Sequence, residues 1–301
     1  MNTTMKTIIG LDIGGTNLRI GLVRNGIVER GETFSSHGVL VDGDEISLLG
    51  ALIDAFRGDD AVDGVSIGFP SSISADGRTV LNVPNIIKAD GSHAFSGKDV
   101  ATPLETALGV KVLLNKDANH LLCFDAWSAG VEGTLVGCYI GTGFGSAAMI
   151  DGQFIKGKHG SGMEAGHIPF FKSDLQCNCG KTGCAECHAS GRAARDMVDT
   201  QYPGLTFDEV FLNHARERPM LDLVEAIAVT SATLVNLFDP HMLFLGGGLL
   251  AGAFPREQLT EAILRHALAP YPRAGLEIRF SEHDAFSGVI GAAIHAEKVL
   301  G

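Results

Sequence analysis

Hydrophobic and polar positions along the chain switch between a period of two and one of about 3.6, and each switch marks an element. Thr7-Ile-Ile-Gly-Leu-Asp-Ile-Gly-Gly-Thr-Asn17 begins as an apolar strand and breaks at Gly14-Gly15. Leu18-Arg-Ile-Gly-Leu-Val23 then resumes the alternation, and Asn25-Gly26 is a hairpin-turn dipeptide, so Ile27 to Phe34 is expected as a third strand. Ile46, Leu49, Leu52, Ile53 and Phe56 recur at helical spacing, and Val62 to Phe69 reads as a buried strand ended by Pro70. Leu104 to Leu108 fits the end of a short helix, followed by the strand Val110-Lys-Val-Leu-Leu114. At the end of that strand stands Asn115-Lys-Asp117-Ala-Asn119.

A second copy of the opening pattern follows. Val136-Gly-Cys-Tyr-Ile-Gly141-Thr-Gly-Phe-Gly145 again runs a strand into a glycine-rich turn, Ser146 to Ile150 is the returning strand, and Asp151-Gly152 is a hairpin turn. Two such units, one opening each half, point to an internal duplication with two domains facing each other. The expected division is residues 1–115 with 287–301 against 116–286. Ser190 caps a helix containing Ala193, Ala194, Met197 and Val198; Val224, Ile227, Ala228, Val235 and Phe238 mark a longer one, stopped by Asp239-Pro240. Met242-Leu-Phe-Leu-Gly-Gly-Gly248 is a strand meeting three glycines, Pro255 opens another helix, Leu276 to Phe280 is a strand, and Ser287 starts a last helix of small residues.

Composition narrows the class. An apolar fraction of 45% with 19% charged residues describes a soluble globular protein of 301 residues, long enough for two cores. A formal charge of −12 argues against nucleic acid, which needs clustered Lys and Arg. No uninterrupted apolar run is long enough to span a bilayer, so no membrane partner is expected. Met1 to Ile9 lacks the features of an export signal, and the thiols have metal spacing, so the cytoplasm is the expected compartment.

The chemistry concentrates at the glycine turns, at Asp117 and in one cysteine cluster. Glycines let backbone N–H groups approach phosphate oxygens, with Thr16 and Asn17 adding donors, while Asp12 can hold Mg²⁺ or its waters; a plain hairpin is the alternative. Gly141-Thr142-Gly143 is followed by a strand rather than a helix, which speaks against a dinucleotide fingerprint. The Gly246-Gly247-Gly248 run can admit a base or ribose against bare backbone, or be a sharp turn. Asp117, at a strand terminus opposite a phosphate cradle, is placed as a general base for a hydroxyl nucleophile, or caps a helix starting at about Asn119. Four of the six cysteines, Cys177, Cys179, Cys184 and Cys187, fall within eleven residues. His167 with Cys177, Cys179 and Cys184 is a tetrahedral Zn²⁺ set with no open position, hence structural, and it draws Glu164 and Glu186 toward the same region.

Together, Asp12-Ile-Gly-Gly-Thr16, the base segment, Gly141-Thr-Gly143, Glu164-Ala-Gly-His167, Cys177-Asn-Cys-Gly-Lys-Thr-Gly-Cys184-Ala-Glu186 and Gly246-Gly-Gly248 resemble the ROK family of sugar kinases and related repressors, over nearly the whole chain. The resemblance implies an α/β, actin-like ATPase (ribonuclease H-like) fold, two domains with mixed sheets around a nucleotide and sugar cleft. It implies ATP-dependent phosphorylation of a hexose at the C6 hydroxyl, with ATP, Mg²⁺ and a structural Zn²⁺, in a homodimer. By the same resemblance Asp117 is the catalytic base; Asn85, Glu164, His167 and Glu186 contact the sugar; and His167 is also a zinc ligand with Cys177, Cys179 and Cys184. Gly14, Thr16, Gly141, Thr142 and Gly143 match the family's phosphate turns and Gly246 and Gly247 its nucleotide side; Asp12, Gly15 and Asn17 join the nucleotide site on the chemistry of the turn itself. The repressor branch would need a DNA-binding module before the first strand, where only about six residues stand.

Within the family the chain looks closest to the D-allose kinases, through Gly68-Phe-Pro70, Pro84-Asn85, Gly166-His-Ile-Pro169, Leu237-Phe-Asp-Pro240 and Phe254-Pro-Arg-Glu257. Two departures from the family pattern lie near the implied sugar: Lys116 where Asn usually precedes the base, and Pro70-Ser71 where Pro-Gly is common. An ammonium only donates, so Lys116 as a sugar contact would change the preferred epimer, and the axial C3 hydroxyl of allose is its expected partner. Alternatively Lys116 points to solvent or pairs with an acid. Glucose, N-acetylmannosamine and fructose are the other acceptors open to this family, and a non-catalytic sugar sensor is the other class of function.

Overall fold

The computed structural model describes residues 6–41, 43–83, 86–88, 90–170 and 173–301. The chain divides into two compact units, the first made of Met1–Val131, Lys156–Gly162 and His283–Gly301, the second of Glu132–Ile155 and Met163–Glu282. In the first, β1 (Thr7–Ile13), β2 (Asn17–Arg24) and β3 (Ile27–Ser35) form an antiparallel meander. After α1 (Ser36–Leu40) and α2 (Glu45–Arg57), β4 (Gly64–Phe69) lies parallel to β1. The two-residue strands β5 (Thr79–Val80) and β6 (Lys98–Asp99) pair with each other, α3 (Ala101–Leu108) follows, and β7 (Lys111–Lys116) completes the sheet parallel to β4. The order is β3-β2-β1-β4-β7.

Burial explains why these runs are strands. Ile9, Leu11, Leu18, Ile20, Val65, Ile67 and Val112 join Leu49 and Ile53 of α2 and Leu104 and Leu108 of α3 in one core, while Ile8 and Val23 meet Val289, Ala293 and Ala296 of α9 (Ser287–Leu300). Strands β1 and β4 are therefore apolar almost throughout, as parallel strands covered on both faces are. Helix α2 is pinned by Glu45, whose buried carboxylate accepts from the Phe95 N–H at 2.9 Å, from Lys98 at 2.6 Å and from Lys88 at 3.0 Å. Helix α4 (Asp117–Ala129) packs against α9 and so belongs to the first unit. The partition therefore differs from the expected divisions at 115/116 and 286/287: it falls after Val131 and before His283, with a short return of the chain at Lys156–Gly162.

The second unit repeats the plan. β8 (Leu135–Ile140), β9 (Phe144–Ile150) and β10 (Gln153–Phe154) are an antiparallel meander; β11 (Met242–Gly246) runs parallel to β8, and β12 (Glu277–Phe280) parallel to β11. The order β10-β9-β8-β11-β12 reproduces that of the first sheet strand for strand, the pattern of a duplication. Its core joins Val136, Cys138, Leu243 and Leu245 to α5 (Gly191–Gln201), α6 (Phe207–Asn213), α7 (Arg218–Phe238) and α8 (Arg256–His266). Helix α7 is long and apolar enough, by length and composition alone, to cross a bilayer. Met220, Leu223, Val224, Ile227 and Val235 on it are instead buried in this core, so its apolar character is accounted for by packing.

Candidate active site

In the first unit, three parallel strands end side by side. Their register sets Asp12 opposite Gly68, Gly68 opposite Asn115 and Phe69 opposite Lys116. At a strand spacing of about 4.8 Å, Asp12 and Asn115 are roughly 10 Å apart across the carboxyl edge of the sheet. That edge is where open α/β sheets bind ligands. Asp117 lies on it: a Cβ added to Gly68 would meet the Asp117 Cα at 3.5 Å.

Helix α4 begins at Asp117 itself, two residues before the start expected from sequence. The extended residue ahead of it is Lys116, which makes no side-chain cap, and Asp117 Oδ1 accepts from the Ala118 N–H at 2.6 Å. Asp117 thus occupies the first turn rather than the N-cap. Asn115 fixes the junction from below. Its buried Oδ1 accepts from the Lys116 N–H at 2.9 Å and from Asn119 Nδ2 at 2.7 Å, and its Nδ2 faces His295 Nε2 at 3.4 Å. Burial keeps His295 neutral, pulling it down to about 4, and lowers the adjacent His120 well below the ordinary imidazole value.

The turn Gly14-Gly15-Thr16-Asn17 leaves β1 beside this edge. Gly14 N–H donates to the Asn17 carbonyl at 2.8 Å, while buried Ser36 donates its hydroxyl to the Gly14 carbonyl at 2.7 Å and its N–H to the Thr16 carbonyl at 2.9 Å. Asp12 sits 3.7 Å from Arg19; burial raises its pKa, and the Arg19 and His283 charges oppose that. A Mg²⁺ ion would add a third and larger opposing charge. Lys116 donates through Nζ to the Gly162 carbonyl at 3.2 Å. Asn85 lies outside the described residues.

In the second unit the turn Gly141-Thr142-Gly143 joins β8 to β9. Its carbonyls are held by the start of α5: Gly191 N–H reaches Gly141 O at 2.8 Å and Arg192 N–H reaches Thr142 O at 3.2 Å. Ser190 caps that helix as the sequence indicates, accepting from the Ala193 N–H at 3.2 Å. Glu186, half-buried, accepts from the Phe144 N–H at 2.9 Å through Oε2, and its Oε1 lies 3.4 Å from Arg192. A Cβ on Gly143 would come within 2.3 Å of Oε2. Gly246 ends β11 opposite Tyr139 of β8, and Gly247 follows it.

Glu164 is exposed, and its backbone is held from both sides. The buried Ser146 hydroxyl donates to the Met163 carbonyl at 2.8 Å and accepts from the Ala165 N–H at 3.3 Å. Met163, at φ 61°, has the left-handed backbone that a non-glycine residue rarely takes, and this clamp keeps it there. A turn of 3₁₀ helix over Ala165–His167 then brings His167 round, its N–H donating to the Glu164 carbonyl at 2.9 Å.

The donor atoms of His167, Cys177, Cys179 and Cys184 all lie within 4.8 Å of one another. Cys179 Sγ and Cys184 Sγ are 3.5 Å apart, and Cys177 Sγ is 3.7 Å from His167 Nδ1. Ligands placed tetrahedrally at about 2.3 Å from Zn²⁺ stand about 3.7 Å apart, so this set fits that ion. Burial, then Cys179 and Cys177 beside it, push Cys184 up to about 12, while at Cys179 burial is outweighed by the Lys181 N–H first and by its thiol neighbours after it, which lower it. A divalent ion would favour the thiolate of each. Cys187 is not one of the four; its sulfur faces the carbonyls of Leu175 and Gln176 and adjoins the Cys177 thiol.

Sequence reasoning passed over Ser36, Ser146, Arg19, Arg192 and Gly162, all of which touch the site residues. Ser146 lies in β9 and Arg19 in β2, and neither local pattern says what a side chain meets across the fold.

A family model described as "ROK family" matches residues 8–299. The chain is 29% identical over 312 aligned residues to the N-acetyl-D-glucosamine kinase of Aliivibrio salmonicida, covering 94% of this chain and 97% of that one. It is 27% identical to the enzyme of the same name from Pectobacterium carotovorum, covering 95% and 97%. The crystal structure of a ROK hexokinase from Thermus thermophilus superposes with a TM-score of 0.78 at 25% identity, over 96% of this chain and 97% of that one. The duplicated α/β architecture is the actin-like ATPase fold expected from sequence. The Aliivibrio and Pectobacterium relatives carry the N-acetyl-D-glucosamine name, where the sequence motifs point to allose.

Proposed function

Because this chain belongs to the ROK family, we propose that it is an ATP-dependent sugar kinase that phosphorylates a hexose at the C6 hydroxyl. The observation that carries this is the position of Asp117 at the same sheet edge as Asp12 and the Gly14–Asn17 turn, against Gly68. Phosphoryl transfer asks a protein for positioning, charge stabilisation and one proton acceptor, and this edge supplies all three. Asp117 takes the proton of the C6 hydroxyl as that oxygen bonds to the γ-phosphorus. The bond from the γ-phosphorus to its bridging oxygen breaks, and ADP leaves with the electron pair.

Asp12 is the residue proposed to hold Mg²⁺, which would neutralise charge on the phosphates. The Gly14 N–H being taken by the Asn17 carbonyl, the Gly15 and Thr16 amides with the Thr16 and Asn17 side chains are the proposed phosphate donors of the first turn, and the amides of Gly141 to Gly143 those of the second; Gly246 and Gly247 admit the nucleoside. Glu164, Glu186, Asn85 and His167 accept or donate to the sugar hydroxyls, His167 through Nε2 because Nδ1 faces Cys177. A structural zinc on His167, Cys177, Cys179 and Cys184 holds the segment that carries Glu164, His167 and Glu186. Thiolate ligands suit the reducing cytoplasm. A homodimer is proposed from the family resemblance.

D-allose is the acceptor we propose. Its support is an ammonium at position 116, where the family pattern has an amide: a site that donates to one particular hydroxyl favours the epimer that supplies the oxygen. N-acetyl-D-glucosamine is the second reading, favoured by the names of the relatives. The test is a coupled ADP-release assay with ATP, Mg²⁺ and a panel of aldohexoses, their N-acetyl amines and fructose. Allose is expected to show a higher kcat/KM than glucose, with the gap narrowed by Lys116→Asn. Preference for N-acetyl-D-glucosamine would overturn the acceptor and leave the kinase standing; turnover of no sugar would overturn the kinase.

A further inference from the structure

The chain leaves the second unit after Ile155, lies on the first from Lys156 to Gly162, and re-enters the second at Met163. This return is a small closed loop: the Gly162 N–H donates to the Lys156 carbonyl at 2.8 Å and the Gly160 N–H to the Gly157 carbonyl at 3.4 Å. Two contacts seat it. Gly160 is buried at φ 82°, and a Cβ there would fall 1.6 Å from the Ile73 carbonyl oxygen, so the two backbones touch where no side chain fits. Lys116, next to the proposed base, donates to the Gly162 carbonyl at 3.2 Å. Two residues beyond Gly162 comes Glu164, whose flanking peptides Ser146 holds in the second unit.

We infer that Lys116 is a positioning residue: its ammonium holds the loop 156–162 in place within the first unit, beside the proposed base at 117, a function resting on the kinase reading above. An ammonium has three donors, and the carbonyl takes one of them. The Asn usual at this position ends two bonds nearer its Cα and would not reach as far. The departure from the family pattern at 116 thus acts through the loop as well as through any sugar hydroxyl.

The test compares Lys116→Met, Lys116→Arg, Gly160→Ala and the Lys116→Met/Gly160→Ala double variant. Two quantities are read: hydrogen exchange at the Gly162 amide, and KM for D-allose and N-acetyl-D-glucosamine against KM for ATP. Loss of a charge-assisted bond of this kind should speed Gly162 exchange about tenfold and raise the hexose KM about tenfold. ATP KM should stay within twofold, about the scatter of such measurements, and Lys116→Arg should restore protection because it keeps a donor. Gly160→Ala should do the same as Lys116→Met, and the double variant should be no worse than either, since both act on one loop. Wild-type exchange at Gly162 in Lys116→Met, or KM effects that multiply, would overturn the inference. If Gly160→Ala does not fold, the Met and Arg variants decide alone. If the wild type phosphorylates no sugar, the kinase reading fails, while exchange still shows whether Lys116 holds the loop.

Discussion

The carboxylate of Glu186 lies against Gly143, so close that a Cβ on the glycine would come within 2.3 Å of Oε2. The same oxygen accepts from the Phe144 N–H, one residue along. An acid proposed for the sugar therefore braces the turn proposed for phosphate. Gly143→Ala must push Glu186 off this seat or distort the turn. It is expected to lower kcat/KM for hexose and for ATP together, each by about tenfold or more, the usual effect of displacing a bound group by a few tenths of an ångström to 1 Å. Steady-state kinetics with each substrate varied in turn checks this. A fall in only one of the two would separate Glu186 from the turn.

Elemental analysis of the purified protein should find about one zinc per chain. Cys179→Ser is expected to lose it, and with it sugar affinity, because Glu186 stands two residues past Cys184 and Glu164 three before His167. Thiolate ligation also predicts zinc release as pH falls, when protons compete for the sulfurs. Metal-free protein with unchanged hexose affinity would show the cluster to be irrelevant to the site.

Glu45 makes stability depend on pH. Burial works to raise its pKa, but bonds from Lys98, the Phe95 N–H and Lys88 outweigh it and bring the carboxyl from 4.5 down to about 2. A carboxyl depressed by folding contributes stability that is fully present above its unfolded value and is lost as pH falls toward its folded one. The contribution should therefore disappear between about pH 4.5 and 2. Glu45→Gln should lower the denaturant midpoint at pH 7 and flatten its dependence on pH across that window. A variant that loses stability as steeply as the wild type on acidification would place the effect elsewhere.

Much of this was legible in the sequence, for physical reasons that can be named. The strands of both sheets are short apolar runs punctuated by Gly14-Gly15, Asn25-Gly26 and Asp151-Gly152, and Ser190 and Asp239-Pro240 bound their helices by chemistry local to a few residues. The clustering of His167 with three cysteines was legible because those cysteines lie within eight residues. The rest depended on distance along the chain. Helix α1 is too short to show a period, and α4 begins two residues early because Asp117 is a turn residue whose own backbone is helical. Lys116 meets Gly162 across 46 residues and Asn115 meets His295 across 180, pairings that no local pattern encodes. Membership of α4 in the first unit and the return at 156–162 likewise follow from packing against α9 and Ile73.

The central claim is that Asp117 takes the proton from a hexose hydroxyl, and replacing one atom tests it. Asp117→Asn keeps the size and the acceptor for the Ala118 N–H but removes the base. The deciding measurement is the ratio of wild-type to variant kcat in the ATP-dependent assay, with hexose dissociation constants measured alongside. A loss of about 10²–10⁴ in turnover with sugar affinity retained is the result expected of a positioned general base. Turnover in Asp117→Asn comparable to the wild type would contradict it.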